Sequence, residues 1–303
     1  MPQKGRDWTV SIALPGDILD NAQSQELRAY VAGQVARACS IFNVDEVVVF
    51  PENPRSPAQG CDLLARLLEY LETPQYLRKA LFPIHPALRH AGLLNPLDAP
   101  HHLRAHEWCM FREGVVTEQD ETQGQSMVDV GLKQKVHVPV SIEPGTRVTL
   151  KLHKPKKQIE ARSNKKRKLR GMDSIFEAEA VAPSAPREEL GLYWGYQVRI
   201  CGSISEAVQG PSVFGDNYDL CIGTSDKGTN LLDPKFELPK FKRLLIVFGG
   251  VAGIEECIKH DSQAQSKDKM FAFYVNCCPK QGSRTIRTEE AIPITMSLFQ
   301  KIL

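Results

Sequence analysis

The sequence predicts an α/β protein with a parallel β-sheet that is interrupted by a small β-barrel. The first observation is a strand, an amphipathic helix and a second strand within residues 8–50, which is typical of a βαβ unit. The second is a series of short alternating segments without helices, from about residue 101 to 190. Because βα patterns flank this series on both sides, we predict a barrel inserted into one discontinuous core, residues 1–100 and 191–303.

The composition is that of an ordinary globular chain. Of its 303 residues, 42% are hydrophobic and 24% are charged. No run approaches the roughly 18 apolar residues that a bilayer requires, and the first residues lack the apolar core of a signal peptide. We therefore predict no membrane association. With a net charge of +2, any affinity for nucleic acid must come from local patches.

The first part of the core is predicted to contain two strands and three helices. The strands cover residues 8–14 and 46–50, and the helices cover residues 24–42, 62–71 and a segment from Thr73 onward. Ser24 is a suitable N-cap for the first helix. By helical spacing, one side of that helix comprises Leu27, Tyr30, Val31, Gln34, Val35, Ala38, Ile41 and Phe42.

The β-rich series has five segments separated by turn residues. They cover residues 114–116, 127–131, 136–139, 147–152 and 176–181. Five strands fit an OB-fold, and an SH3-like barrel is the alternative. Before the last strand, residues 154–170 contain nine basic residues and one acidic residue. This tract indicates either phosphate contact, with nuclear import through residues 165–168, or a solvated loop without a partner.

Aromatic and strand-like segments follow the barrel. Residues 193–196, Tyr-Trp-Gly-Tyr, either stack RNA bases or, as we expect, bury their area at the return to the core. Strands are predicted at residues 196–200 and 218–222, with a short helix at 203–208. The second of these strands is predicted to end at a polar, glycine-containing loop, residues 223–227.

Two more strand ends precede a terminal helix. An apolar run at residues 244–250 ends in two glycines, and another at 270–275 stops at Asn276. Ligands in open α/β sheets lie beyond the carboxyl ends of strands, so these ends and the 223–227 loop indicate one shared pocket. A helix is predicted from residue 288, or from near Ile292 because Pro293 disturbs its first turns, to residue 303.

The order of these pieces resembles the SPOUT class of α/β-knot methyltransferases, which modify RNA with S-adenosylmethionine. Three blocks carry the resemblance: residues 219–225 (DLCIGTS), 246–250 (IVFGG) and 276–290, which includes QGSRTIRTEE. Segments at 14–24 and 191–196 extend it over nearly the whole chain. The chain is similar in particular to a eukaryotic subfamily whose core is interrupted by an OB-like domain. The resemblance implies a C-terminal trefoil knot, a barrel that grips RNA, and ribosomal RNA as the expected substrate.

The resemblance implies that S-adenosylmethionine binds where the strand ends converge. The residues expected at the cofactor are Thr224, Lys227, Gly249, Gly250, Asn276, Gln281, Gly282, Ile286, Arg287 and Thr288. Two glycines after one strand also allow a ligand to approach the backbone closely, although a tight turn without a ligand would use them as well. Thr288 has a further interpretation as the N-cap of the last helix.

The candidates for catalysis are Arg284, Arg287 and Glu289, which the resemblance directs toward the substrate. Methyl transfer from a sulfonium depends on alignment more than on a strong base, and an arginine can stabilise a developing uracil oxyanion. Asn21 and Arg28 loosely match an Asn–Arg pair of ribose methylators, but their spacing departs from that motif. We therefore expect methylation of a base, with N3 of a uridine as the first hypothesis.

No metal site is predicted. The candidate ligands His101, His102, His106 and Cys109 lie in a proline-flanked linker, without the closed set that zinc prefers. The eight cysteines include no CxxC pair, which favours reduced thiols in the cytosol or nucleus.

The terminal helix predicts a homodimer. Its apolar residues are Ile294, Met296, Leu298, Phe299, Ile302 and Leu303. They occupy more than one face of the helix, and the resemblance implies that a second copy of the chain covers them.

A second hypothesis is a binding protein. The human member of the similar subfamily is associated with kinetochores and the mitotic spindle. The chain would then bind cofactor and RNA as a structural partner there, without essential catalysis. Under either hypothesis we expect nuclear localisation, with spindle and kinetochore association in mitosis. A nicotinamide-binding Rossmann protein is excluded, because only Gly16 follows the first strand where that fold requires a glycine fingerprint.

Overall fold

A computed structural model describes residues 5–55, 59–153, 178–215 and 217–301. The basic tract of residues 154–170 lies outside these ranges, as do Ile302 and Leu303. The chain forms two compact units. The α/β unit comprises Arg6–Glu72, Ile84–Ala99 and Gly195–Leu303. The β unit comprises Met1–Gly5, Thr73–Pro83 and Pro100–Trp194.

The described residues form eleven strands and eight α-helices. In chain order the strands are β1 (Thr9–Pro15), β2 (Glu46–Phe50), β3 (Phe111–Asp120), β4 (Gln125–Asp129), β5 (Val136–Val138), β6 (Arg147–Leu152), β7 (Ala178–Val181), β8 (Gln197–Ile200), β9 (Leu220–Asn230), β10 (Arg243–Val247) and β11 (Phe273–Asn276). The helices are α1 (Gln25–Ile41), α2 (Gln59–Glu72), α3 (Gln75–Leu81), α4 (Ala185–Leu190), α5 (Ile204–Gln209), α6 (Ile254–His260), α7 (Lys267–Met270) and α8 (Thr288–Phe299). None of the helices in the described part of the chain is long and apolar enough to cross a membrane.

The α/β unit is built on a six-stranded sheet in the order β11-β9-β10-β1-β2-β8, and every neighbouring pair is parallel. The central strand β1 is buried along its whole length. A parallel sheet covered on both faces requires such continuous apolar strands, which explains why the sequence pattern identified them. The predicted parallel sheet is confirmed.

Two strand boundaries differ from the prediction. Strand β9 does not end at Gly223 but continues to Asn230, because its last residues pair with the end of β11 after a register shift. The predicted loop at residues 223–227 is therefore wrong, and these residues lie within a strand. Strand β11 begins only at Phe273, since the short helix α7 occupies the residues before it.

Helix α1 carries an apolar strip that does not face the sheet. The predicted N-cap is confirmed, because the Ser24 hydroxyl accepts a hydrogen bond from the Leu27 amide at 3.2 Å. However, three residues of the predicted side, Leu27, Tyr30 and Ile41, are 50%, 54% and 53% exposed and so do not belong to the buried face. The buried residues of the helix are mostly small: Ala29, Val31, Ala32, Gly33, Val35, Ala36, Ala38 and Cys39. Small side chains allow the helix axis to lie close to its neighbours, and this packing selects the inward face.

Helix α8 begins at Thr288, with Arg287 as its N-cap. The alternative start near Ile292 and the N-cap role of Thr288 are therefore wrong. The helix accommodates Pro293 in its second turn. Ile292, Met296 and Phe299 are fully buried within the chain.

The β unit contains a five-stranded antiparallel sheet in the order β5-β4-β3-β6-β7. All five predicted strands are confirmed, and the edge strands β5 and β7 contact each other, so the sheet is curled. Within this unit the Trp194 indole nitrogen donates to the Glu113 carboxylate at 2.6 Å. Tyr193 and Trp194 are buried here and Tyr196 is buried in the α/β unit, which favours packing over base stacking.

Candidate active site

A cavity of about 270 Å³ lies where β10 and β11 end, beside the second half of β9. Small-molecule sites in proteins typically measure ~300–1,000 Å³, so this cavity is near the lower end of that range. Four stretches of the chain supply its walls: residues within 224–227, 248–255, 275–278 and 281–295. In order, these are a segment of β9, the turn from β10 into α6, the end of β11, and the loop that leads into α8 together with the first turns of that helix.

Most of the predicted site residues meet in this cavity. The predicted residues that line it are Thr224, Lys227, Gly249, Gly250, Asn276, Gln281, Arg284, Ile286 and Thr288. Gly282, Arg287 and Glu289 are not among the lining residues. The amide of Arg287 donates to the Glu290 carboxylate at 3.0 Å, and Glu289 lines a separate groove with Pro293 and residues of α1.

One of the two glycines after β10 is required by the protein's own packing. A Cβ on Gly249 would collide with the backbone of Gly253 and Ile254, where the turn folds back onto the start of α6. A Cβ on Gly250 would lie 2.9 Å from the Glu52 carboxylate, which is the end of a flexible side chain and can shift. The physical reason for Gly249 is therefore the close approach of two backbone segments.

Several polar side chains of the cavity are already engaged in hydrogen bonds that join its walls. The Asn276 amide nitrogen donates to the Asp226 carbonyl at 2.6 Å, and the Thr288 hydroxyl donates to the Gly249 carbonyl at 2.7 Å. The Thr224 hydroxyl donates to the Val247 carbonyl at 3.0 Å. These side chains hold the walls in place and leave backbone groups and charged side chains to contact a ligand.

The sequence predicted only some of the charged groups that line the cavity. Asp226 and Glu255 line the cavity together with the predicted Lys227 and Arg284. The Glu255 carboxylate accepts a hydrogen bond from the Ser225 hydroxyl at 3.3 Å. The signal that could have identified Glu255 is its place two residues after the glycine-rich turn, where a helix begins beside the strand ends.

Titratable groups beside the cavity are shifted mainly by burial. Desolvation raises the pKa of Glu52, and the nearby Asp17 and Glu256 carboxylates raise it further. Burial also raises the pKa of the Cys277 thiol, which keeps that thiol protonated. All eight cysteines lie in the described residues and are free thiols.

Other candidate residues lie outside the cavity lining. The Asn21 amide donates to the Ile18 carbonyl at 3.3 Å, and Arg28 pairs with Asp20 at 3.2 Å. His101 is buried, with its ring 5.8 Å from that of Trp194. Within the described ranges, no group of three or more His, Cys, Asp or Glu side chains could hold a metal ion.

Comparison with known proteins identifies the family. The sequence profile of the family described as "Putative RNA methyltransferase" matches residues 9–299. The chain belongs to this family. The candidate active site of this RNA methyltransferase lies in the α/β unit.

Two curated relatives align with almost the whole chain. A human 28S rRNA (uridine-N(3))-methyltransferase is 45% identical over 98% of this chain and 79% of its own length. A Drosophila melanogaster protein of the same name is 46% identical over 97% of this chain and 62% of its own length. The alignments extend over all four stretches that form the cavity walls.

Proposed function

We propose that the chain transfers a methyl group from S-adenosylmethionine to N3 of a uridine in large-subunit ribosomal RNA. The observation that carries the proposal is the 45% identity to the human 28S rRNA (uridine-N(3))-methyltransferase, which extends over 98% of the chain. At that identity the fold and the active site are expected to be shared. The structural cofactor- and RNA-binding role at the spindle or kinetochore stays a hypothesis from the resemblance.

The cavity fits the chemistry of S-adenosylmethionine. Apolar side chains of Val275, Ile286 and Ile294 line it and suit a flat adenine ring. Lys227 and Arg284 can receive the carboxylate of the methionine moiety. When bound, the cofactor supplies an electrophilic methyl group on a positively charged sulfur.

The protein's task is to align the acceptor and stabilise its charge. Uridine N3 carries a proton that must pass to solvent water for the nitrogen to attack the methyl carbon. The negative charge left on the ring spreads over the two carbonyl oxygens until the new N–C bond forms. Arg284 lines the cavity with an exposed guanidinium, so it can donate hydrogen bonds to such an oxygen or to a phosphate. Arg287, exposed at the start of α8, is proposed to contact RNA beside the cavity. The role of Glu289 toward the substrate stays a prediction from the resemblance, because this side chain lines the separate groove against α1.

The proposal is tested by nucleoside analysis of labelled RNA. Ribosomal RNA from cells lacking the protein is incubated with the purified chain and methyl-labelled S-adenosylmethionine, then digested to nucleosides. We expect label in 3-methyluridine at one site, where reverse transcription also stops because the modification blocks Watson–Crick pairing. Arg284→Ala should lower the rate strongly, whereas Lys280→Ala, at an exposed position of the same loop outside the cavity lining, should not. Label in a 2′-O-methyl nucleoside, or none, overturns the proposal.

An apolar groove supports the homodimer that the resemblance implies. The groove between α1 and α8 is lined by Tyr30, Ile41, Leu94 and Pro293, among others. Two of these side chains, Tyr30 and Ile41, are more than half exposed. A second copy packed symmetrically on this face would cover them.

The remaining features of the resemblance are proposed together. They are the trefoil knot at the C-terminal end of the core, RNA contact by an OB-like barrel in the β unit, and nuclear localisation through the basic tract. The curled five-stranded sheet of the β unit and the nine basic residues within 154–170 support the RNA contact.

A further inference from the structure

Glu255 is held in the cavity wall by its immediate surroundings. It is the second residue of α6, half-buried, and lines the cavity. Its carboxylate lies against Gly253, where a Cβ would be only 2.8 Å from Oε2, and Gly253 has a φ of +85°. The backbone conformation thus favours a glycine at residue 253, and the absence of a side chain there leaves room for the carboxylate. The Ser225 hydroxyl donates to the other oxygen, Oε1, at 3.3 Å.

No basic side chain among the described residues forms an ion pair with Glu255. The next residue, Glu256, is different, because it pairs with Lys259 at 3.1 Å and with His260 at 2.9 Å on the same helix. Tyr274 beside Glu255 supplies no positive charge, because a tyrosine side chain is neutral when it is protonated. Burial raises the pKa of its hydroxyl and so favours this neutral form. The negative charge of Glu255 is therefore available to a cationic ligand.

The methyl donor changes its charge in the reaction. S-adenosylmethionine carries an ammonium, a carboxylate and a sulfonium, whereas the product after methyl transfer has a neutral thioether in place of the sulfonium. A cavity that presents a carboxylate to the sulfonium attracts the donor more strongly than the product. The basic residues of the cavity, Lys227 and Arg284, attract the carboxylate that both molecules share and so do not distinguish them.

We propose that Glu255 recognises the positive charge of the methyl donor and thereby makes the cavity prefer S-adenosylmethionine over S-adenosylhomocysteine. The inference rests on the proposed use of S-adenosylmethionine. Glu255 is then a specificity-determining residue, and the loss of its attraction after methyl transfer assists product release. Asp226, which also lines the cavity but is exposed, contributes less because water screens its charge.

The test compares the affinities of the two ligands in matched variants by calorimetry. Glu255→Gln keeps the size and hydrogen-bonding capacity of the side chain and removes its charge. We expect it to weaken binding of S-adenosylmethionine roughly tenfold, as for a partly screened charge pair, and that of S-adenosylhomocysteine less than twofold. Glu256→Gln, the same change one position further along the helix and outside the cavity lining, should alter neither affinity.

Each result of this experiment separates the role of Glu255 from the cofactor assignment. Equal weakening for both ligands, or no change for either, overturns the role of Glu255 while leaving the cofactor assignment intact. A wild-type chain that binds neither ligand overturns the proposed function itself. Should Glu255→Gln fail to fold in a thermal melt, the wild-type protein decides the question. Its preference for S-adenosylmethionine must then decline as ionic strength rises, and a ratio of affinities insensitive to salt contradicts the proposal.

Discussion

At Gly249 the missing side chain lets the turn after β10 fold back onto the start of α6. That turn presents residues 249–253 to the cavity and places Glu255 beside Ser225. The Thr288 hydroxyl then joins α8 to the Gly249 carbonyl at 2.7 Å. Individual residues at this site therefore act chiefly by bringing three segments of backbone into contact.

Gly249→Ala is expected to destabilise the chain by about 1–3 kcal/mol, as overpacking of a closely packed site does. The added Cβ would lie within 2.7 Å of the Gly253 Cα and closer still to its carbonyl carbon. Calorimetry should show weaker cofactor binding as well. Gly282→Ala is the control in a denaturant titration, because a Cβ there meets no atom within 4 Å. Equal destabilisation by the two changes would contradict this explanation.

Thr288→Val should cost about 0.5–1.5 kcal/mol of unfolding free energy, because it removes the hydrogen bond to the part-buried Gly249 carbonyl while preserving the shape of the side chain. Thr288 is only 5% exposed, and its hydroxyl donates to Gly249 across the cavity wall. Chemical denaturation measures the effect. The matched variant Thr285→Val, at an exposed position of the same wall, should change stability by less than ~0.5 kcal/mol. A Thr288→Val protein as stable as the wild type would show that the hydrogen bond contributes nothing.

Helices α1 and α8 both carry apolar side chains on more than one side, and some of these side chains are buried in the core while others are exposed. In α8, Met296 and Phe299 are fully buried within the chain, so Phe299→Asp would unfold the α/β unit rather than separate subunits. The surface strip of α1, which includes Tyr30 and Ile41, is the face left for a partner. A test of dimerisation therefore belongs on α1.

Substitution of Tyr30 and Ile41 by Glu should convert the proposed dimer into folded monomers. Both side chains are more than half exposed, so the charges would be tolerated in a single chain but not in an apolar interface. Analytical sedimentation at micromolar concentration measures the change, with circular dichroism as the check on folding. Leu232→Glu is the control, because Leu232 is also 54% exposed but lies outside this groove. A wild-type chain that sediments as a 33.9 kDa monomer would exclude the dimer.

The charge of the whole molecule is unevenly distributed along the chain. Residues 154–170, with nine basic residues and one acidic residue, carry a net charge of +8, so the rest of the chain carries −6 to reach the total of +2. The overall field is therefore too weak to attract RNA by itself. Electrostatic affinity is expected to depend on this tract and on the few basic groups at the cavity.

Neutralising Lys165, Lys166, Arg167 and Lys168 with glutamine should weaken RNA binding and flatten its salt dependence. For single-stranded RNA, each lost phosphate contact lowers the slope of log K against log salt by about 0.7. Filter binding over a range of salt concentrations measures the slope, and microscopy of a tagged protein measures nuclear accumulation. The control neutralises four exposed lysines of the α/β unit: Lys235, Lys240, Lys242 and Lys269. An unchanged slope would mean that the tract does not contact phosphate, and undiminished nuclear accumulation would remove its role in import.

The sequence by itself determined those features that depend on neighbours along the chain. Alternation identified β1, apolar runs identified β2 and β10, and the Ser24 cap identified the start of α1. The strand ends after β10 and β11 located the cavity, because a parallel sheet brings its carboxyl ends to one edge. Such signals are local, and periodicity and turn chemistry are sufficient to detect them.

Only the tertiary structure decided the features that depend on residues distant in sequence. Strand β9 extends to Asn230 because β11 is there to pair with it, although its polar residues resemble a loop. Ile41 is exposed because the small residues of α1, rather than its largest ones, fit against the rest of the unit. Glu255 reaches the cavity because Gly249 and Gly253 allow the backbone to turn there. Pairing, close approach and burial are properties of two segments together, and one stretch of sequence does not contain them.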